Sequence, residues 1–536
     1  VNSGSTTRYP AAPQAVDGWR VDRITPPSRL YGANGLRTGA DGRIYIAQVT
    51  GSTISALDVN TGDLETISAK GGDIIAPDDI AFGPDGTLYA TEVMDGRVSA
   101  RDTSGRCRVL RDDMPSANGI TVHQGRLFVN ECREGGRLFE LDLAGGAPRL
   151  IAENLPSPNA MEVGPDGMLY FPVMGANQIW RIDPEGGETQ VVAGDLGVPD
   201  SVKFDADGFI VSTQVHSGQV LRIDPRTGAQ TVLAKLNPGL DNCTLVDGRL
   251  FVSNFTGSIT EVLADGQIRD LLPGGLNWPL DLTVGADGRL YIADGTYFYA
   301  LGADGTLETV AMLFTPGYPG FVRGVTAAGP GEFVVATSGG QVARYRPALG
   351  ETDYLADGLD QLYGVVLDGD RILVVEQGTG RLLSVGTSTE VVTSGLDQPV
   401  DVVMGPNGPL ISVGGADNPT SEAGRVVGTD GAVVVDDLVK PHGLLVRDGL
   451  LYIVDAGAKE VLSVDLTTGA RQVLASGLPL GSAPGVSPKP LQGMPPFSGP
   501  QGPFAGITGG PDGTLYVSAD GDGSILALRP TSGPSL

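Results

Sequence analysis

Six residues recur at equivalent places in the first half of the chain, and all six are Asn or Asp: Asn34, Asp78, Asn118, Asn159, Asp200 and Asp241. Each leads into a short apolar run, and the spacing between them is about 40 residues. A second polar set ends the run that follows: Gln48, Glu92, Asn130, Glu131, Gln214, His216 and Asn254. Oxygen-bearing side chains gathered around one point suit a hard cation of the Ca²⁺ or Mg²⁺ class. Asn and Asp also favour turns for their own sake. The second half tests that, because the same lead positions there carry Leu280, Arg323, Tyr363, Val400, His442 and Ala505. The turn therefore does not demand Asn or Asp. In this second set Arg323 suits a carboxylate or an oxyanion, His442 suits acid–base work near neutral pH, and Tyr363 suits proton donation.

A repeat must position these residues. One unit reads Asn34-Gly35-Leu36, the turn Ala40-Asp41-Gly42, then Arg43-Ile44-Tyr45-Ile46-Ala47. The run 53–59, the turn Asn60-Thr61-Gly62-Asp63 and the run 64–69 complete it. Twelve such units follow one another, each with four short alternating or apolar runs split by Asp-Gly, Asn-Gly or Thr-Gly turns. Those dipeptides supply the positive φ that tight hairpins need. Four-stranded units at this period are propeller blades, and twelve exceed the usual single ring. The expectation is an all-β protein of two tandem six-bladed β-propellers, residues 31–275 and 276–536. Residues 1–16 read as a small, polar tail. The run 19–24, before Pro26-Pro27, reads as a detached fourth strand. It either completes the last blade or closes the first ring, leaving 268–272 to close the second; the Asp265-Gly266 turn favours the former. First strands line a propeller's channel, so lead residues and second-strand ends converge on one mouth in each ring.

Composition removes other classes. The net charge is −27, which disfavours nucleic acid and an anionic membrane surface. No apolar run is long enough to span a bilayer. Cys107, Cys132 and Cys243 match no zinc or redox spacing and cannot all pair internally. The opening Val1-Asn2-Ser3-Gly4 fits an exported, processed chain or a trimmed one. The compartment stays open, with a lean to export, and so does the oligomeric state. The expected partner is a small molecule.

The first ring resembles the senescence marker protein/gluconolactonase/luciferin-regenerating family. Ser116-Ala117-Asn118-Gly119 looks like that family's substrate-side Asn segment, and Ser157-Pro158-Asn159-Ala160 like its metal-binding Asn segment. Pro199-Asp200-Ser201-Val202-Lys203-Phe204-Asp205-Ala206-Asp207-Gly208 looks like its Asp segment. The resemblance implies a divalent metal in the channel, held by Asn159 and Asp200, and lactone hydrolysis with Asp200 as base and Asn118 orienting substrate. The family's first-blade Glu is Asn34 here, so Asp78, Glu92 or Asp241 would supply the missing charge. On this reading Asn34, Asp78, Asn159, Asp200 and Asp241 hold the metal, expected to be Ca²⁺ with Mg²⁺ or Zn²⁺ as alternatives. Asn118, Glu92 and His216 would face substrate. Over the second ring only the general repeat matches, a pattern shared with NHL-type propellers and virginiamycin B lyase, and no His-x-Glu-like segment accompanies it.

The second ring offers a rival site. Its second-strand ends are Asp294, Glu376, Asp455 and Asp520, and two long loops would overhang its mouth. One holds Phe314, Tyr318 and Phe321, and the other, about 480–504, holds Met494, Phe497 and Phe504. An apolar lid over Arg323, Tyr363 and His442 would suit an anionic or carbonyl-bearing apolar molecule. Three readings follow: a metal-dependent, lactonase-like hydrolase in the first ring, a lyase or isomerase in the second, or a tandem propeller that only binds a ligand or protein.

Overall fold

The computed structural model describes residues 7–415 and 423–531. Among these residues the regular secondary structure is almost entirely strand, with two short 3₁₀ turns at Met174–Ala176 and Pro347–Leu349. No helix is long and apolar enough to cross a membrane. Twelve antiparallel sheets carry four blade strands each, in simple sequential order apart from the last.

The chain divides into two compact units. The first comprises Arg29–Gly275 and the segment Val486–Gln492. The second comprises Leu276–Gly485, Gly493–Leu536 and Ser5–Ser28, as far as these are described. Each is a closed ring of six blades. In the first ring the inner strand Leu36–Thr38 contacts Leu240–Val246, so the first blade meets the sixth. In the second, Leu282–Val284 contacts Ile507–Gly509.

Burial within a blade follows from the strand's place in it. Middle strands such as Leu88–Glu92 are wholly buried, whereas the outer strand Cys107–Arg111 is half-exposed. Apolar residues alternate along each strand, so every blade presents one face to each neighbour. Ala81, Tyr89 and Val98 of the second blade pack on Ile120, Val129 and Phe139 of the third in this way. The hairpin turns use the chemistry their sequence promises: Asp41 accepts the Arg43 amide at 3.1 Å, and Gly42 takes φ +76°.

A small device joins inner strands. Asp79, Asp281 and Asp401 each accept the next residue's amide and one amide from the following blade. The following-blade donors are Ile120 at 3.3 Å, Val325 at 2.9 Å and Leu444 at 2.8 Å. The blade before each Asp carries Gly at the equivalent position. A Cβ on Gly364 would lie 2.1 Å from Asp401 Oδ1, so only glycine lets the clasp close.

The last blade takes its outer strand from the other end of the chain. Trp19–Arg23 pairs antiparallel with Ser524–Pro530, and Trp19 and Val21 pack on the core of that blade. Residues 7–16 are not the polar tail that composition implied. Arg8 donates to the carbonyls of Asn277, Asp520 and Gly521, Tyr9 is buried, and Gln14–Ala15 adds to the neighbouring sheet opposite Ala475 and Ser476. One cation meeting three carbonyls fixes the segment without an apolar pattern. The part of the expected tail at 1–6 lies outside the described residues.

Candidate functional site

The first ring's mouth is built by backbone conformation before any side chain contributes. Two residues ahead of each lead position stands a residue with positive φ: Gly32, Ala76, Ser116, Ser157, Val198 and Gly239. That kink turns the chain toward the channel. Val198, β-branched at φ 65°, holds a conformation that costs roughly 1–3 kcal/mol. Backbone bonds then fix the lead residues, as when the Asp200 amide donates to Thr213 and the Asn159 amide to Pro172, both at 3.0 Å.

The side chains so placed interlock in pairs. Asn34 Nδ2 donates to Asp241 Oδ2 at 3.0 Å, and Asn159 Nδ2 to Asp200 Oδ2 at 3.2 Å. Asp78 has no hydrogen-bond donor to its carboxylate among the described residues, and the buried Asn118 Oδ1 has no partner. Burial and then the neighbouring Asp79 push Asp78 up to about 7. Burial, followed by Asp78 and Asp79, pushes Asp200 well above the carboxylate range. Burial, followed by Asp200 and Asp78, does the same to Asp241. Three buried carboxylates thus repel one another around one opening. Two sulfur atoms border them: Met174 Sδ lies 3.3 Å from Asn159 Nδ2 and 4.0 Å from Cys132 Sγ. Among the described residues no three His, Cys, Asp or Glu side chains are spaced as a ready-made metal cage.

Below the mouth the channel has a charged floor that the sequence reading did not single out. Arg37 Nη1 meets Glu162 Oε2 at 2.6 Å, joining the first blade to the fourth across the ring. Arg37 also donates to the carbonyls of Ile80 and Ile120, and Thr121 donates to Glu162. Lys203 donates to Asn242 Oδ1 at 3.3 Å. Burial raises Glu162, but Arg37 and Lys203 outweigh it and hold the carboxyl below its ordinary range. Burial and then Arg37 push Lys203 down. The signal for this floor lies three places after each lead residue, where Arg37, Glu162 and Lys203 interrupt apolar strands.

Many of the second-strand ends are held by backbone amides or Arg side chains. Most of them turn back on the loop that precedes their own blade. Glu92 accepts the Ile75 amide at 2.8 Å and ion-pairs with Arg97. Gln48 accepts the Tyr31 amide, Gln214 that of Gly197, Asp294 those of Asn277 and Trp278, and Asp455 those of Val439 and Lys440. Glu376 and Asp520 hold the Asp360 and Gly481 amides in the same manner. Glu131 is taken by Arg133 and Arg137. Asn130 bridges Gly119 and Asn159, and His216 lies exposed.

In the second ring the lead residues hold a loop. Arg323 is fully buried and donates from Nη1 to Leu362 at 2.8 Å and from Nη2 to Pro500. Its guanidinium lies 4.1 Å from the centre of the Tyr363 ring, which contacts Phe504. His442 Nδ1 accepts the Ala505 amide at 3.1 Å. Burial, then Lys440 and Lys459, push His442 down to about 3. Tyr318 and Phe321 are buried rather than poised above a mouth: Tyr318 packs on Tyr345 and donates to the Gly295 carbonyl. Phe314 and Phe497 touch each other, half-buried, and Phe504 is buried completely. Beside His442 and Tyr363 lies a cavity of about 120 Å³ that Gln377, Gln398 and Lys440 also line.

Comparison with protein families matches residues 15–256 to the SMP-30/Gluconolactonase/LRE-like region. The match spans all six lead residues of the first ring. No curated protein matches the chain. Among solved structures, a streptogramin B lyase is 17% identical with a TM-score of 0.39, over 52% of this chain and 96% of that one. A catalytically inactive virginiamycin B lyase from Staphylococcus aureus, with quinupristin, is 16% identical with a TM-score of 0.32, over 59% and 96%. The extracellular domain of a one-component system from B. thetaiotaomicron is 9% identical with a TM-score of 0.33, over 97% and 79%.

Proposed function

From the premise that residues 15–256 are an SMP-30/Gluconolactonase/LRE-like region, we propose that the first ring is a divalent-metal-dependent hydrolase of small lactones. One observation carries the reading: Asp78, Asp200 and Asp241 are buried together, each raised by the others or by Asp79. Lys203 offsets Asp200 from below, whereas the largest charge influences on Asp78 and Asp241 are other carboxylates. Carboxylates and amide oxygens of this kind fit a hard cation. Its ligands would be drawn from Asn34, Asp78, Asn159, Asp200 and Asp241, which would have to close in on the cation, because no three of the described carboxylates are spaced to hold it as they stand. When bound, such a cation supplies a polarised carbonyl and a water of lowered pKa.

The chain's own residues do the rest. Asp200, buried at the mouth, would accept the proton of an attacking water. The water oxygen bonds to the lactone carbonyl carbon, the ring C–O bond breaks, and the proton passes to the departing alkoxide. The product is a hydroxy acid. Asn118 Oδ1 has no partner among the described residues and would accept a substrate hydroxyl. Arg37 and Glu162 pair across the ring beneath these residues.

Lyase chemistry from Arg323, Tyr363 and His442 has less support, because Arg323 and His442 are spent on the loop at 500–505. The test is a panel of five- and six-membered aldonolactones followed by acid release. Wild type should turn over at least one of them. Asp200→Asn should lose about 10²–10⁴-fold in kcat, and Asn118→Ala should raise KM. No hydrolysis by the metal-supplemented wild type, or full activity in Asp200→Asn, would sink the reading.

A further inference from the structure

We infer that Thr91, Asn130, Thr213 and Ser253 are positioning residues of the first ring's mouth, each fixing the backbone of the next blade's lead residue. The inference rests on the first-ring reading proposed above. All four stand on second strands and are fully buried. Thr91 donates to the Asn118 carbonyl at 2.6 Å, Asn130 Nδ2 to that of Asn159 at 2.8 Å, and Ser253 to that of Asn34 at 2.7 Å. Thr213 donates to the Asp241 carbonyl. In every case the acceptor is the lead residue of the following blade, and Ser253 closes the circle from the sixth blade to the first. The first and fourth blades carry Ala47 and Pro172 at this place, which have no side-chain donor. There the backbone serves instead. The Gly35 amide donates to the Asp78 carbonyl at 2.8 Å, and the Ala160 amide to that of Asp200 at 3.2 Å. Each of the lead carbonyls therefore accepts a hydrogen bond from the blade before it.

The bridging side chains are themselves held. The amides of Asp79, Gly119 and Asn242 donate to Thr91, Asn130 and Ser253 at 3.1, 3.0 and 2.9 Å. The Thr213 hydroxyl gives its one proton to Asp241, so the Ser201 hydroxyl at 2.6 Å is the donor to it. Thr91 and Ser253 have second, longer acceptors at 3.3 Å, the carbonyls of Asp79 and Asn242. Each bridge thus takes a hydrogen bond from its own blade and passes one to the next, and bonds chained in this way polarise one another. The circuit runs through carbonyls and not through the lead side chains. It sets where the lead residues stand while their carboxylates and amides turn about χ1 onto a cation. Losing one donor leaves a buried carbonyl unpaired, and the next lead residue shifts to repair it. Ser412 builds the same unit in the second ring, accepting the Asp401 amide at 2.9 Å and donating to the His442 carbonyl at 2.8 Å. Ser253 and Ser412 are therefore a matched pair, with the same bonds in different rings.

The experiment is calorimetric titration of the full chain with Ca²⁺, Mg²⁺ and Zn²⁺, each alone, beside thermal melts of the same variants. Ser253→Ala and Ser412→Ala should both lower the melting temperature, because each strands a buried carbonyl and a buried amide. Only the first-ring change should reach the ion. Ser253→Ala and Thr213→Val should each weaken binding of the preferred ion by about tenfold. Ser412→Ala, acting on the other ring, should keep it within about twofold of wild type. Thr213→Ser retains the hydroxyl and should restore the affinity that Thr213→Val loses. Wild-type affinity in both Ser253→Ala and Thr213→Val, or a loss in Ser412→Ala as large as in Ser253→Ala, would overturn the assignment and leave the first-ring reading standing. A wild type that takes up none of the three ions would overturn that reading and the assignment together.

Discussion

A histidine that is buried and accepts a backbone amide is driven toward its neutral form. His442 is in that position, held down to about 3 by burial and by Lys440 and Lys459. In the unfolded chain it titrates near its ordinary 6.5. Between these values the unfolded state binds the extra proton, so stability rises with pH across the window. The contribution is complete above about pH 6.5 and drains away as pH falls toward 3. At about pH 4.5 the loss is on the order of 2–3 kcal/mol. Thermal melts of wild type and His442→Gln should therefore converge on acidification. If the difference between them is the same at pH 7 and pH 4.5, the histidine is not buried neutral. The position of His442 was legible from the repeat, but its state was not. The loop that covers it has no period to read, and only coordinates show Ala505 opposite Nδ1.

At the scale of elements, two kinds of residue at neighbouring places have opposite duties. Lead residues face the channel, whereas second-strand ends such as Glu92 and Asp455 grip the amides of their own blade's approach loop. Alternation tells which face of a strand a side chain takes. It does not tell whether the last side chain reaches inward or back, which is why Glu92 looked like part of the mouth. The floor of the first ring was hidden for a different reason. Arg37 and Glu162 lie 125 residues apart, and each alone looks like an ordinary charge on a strand. Together they form a pair that is 15% and 21% exposed. Removing one partner leaves the other stranded, so Arg37→Met should cost on the order of 3 kcal/mol in urea unfolding of the first ring. Arg37→Met with Glu162→Met should recover part of that cost. A double variant no more stable than the single one would show that the pair is not coupled.

The whole molecule is two rings on one repeat, and the repeat is its most legible feature. Asp-Gly turns, alternating strands and a steady period specify blades whatever their channel holds. The short segment at 7–16 carries none of these signals, and its anchoring by Arg8 and Tyr9 appears only in three dimensions. What the two rings do not share is their mouths. One gathers three repelling carboxylates, and the other gathers Arg323, Tyr363 and His442 under a loop. Two similar scaffolds should therefore differ in metal: the first should take one divalent ion and the second none. Elemental analysis of the purified chain, with Asp200→Ala beside it, is the most direct test. One divalent ion per chain in the wild type, absent from the variant, is the predicted result. A wild type that binds no divalent ion when it is supplied, or a variant that keeps its ion, would contradict the account.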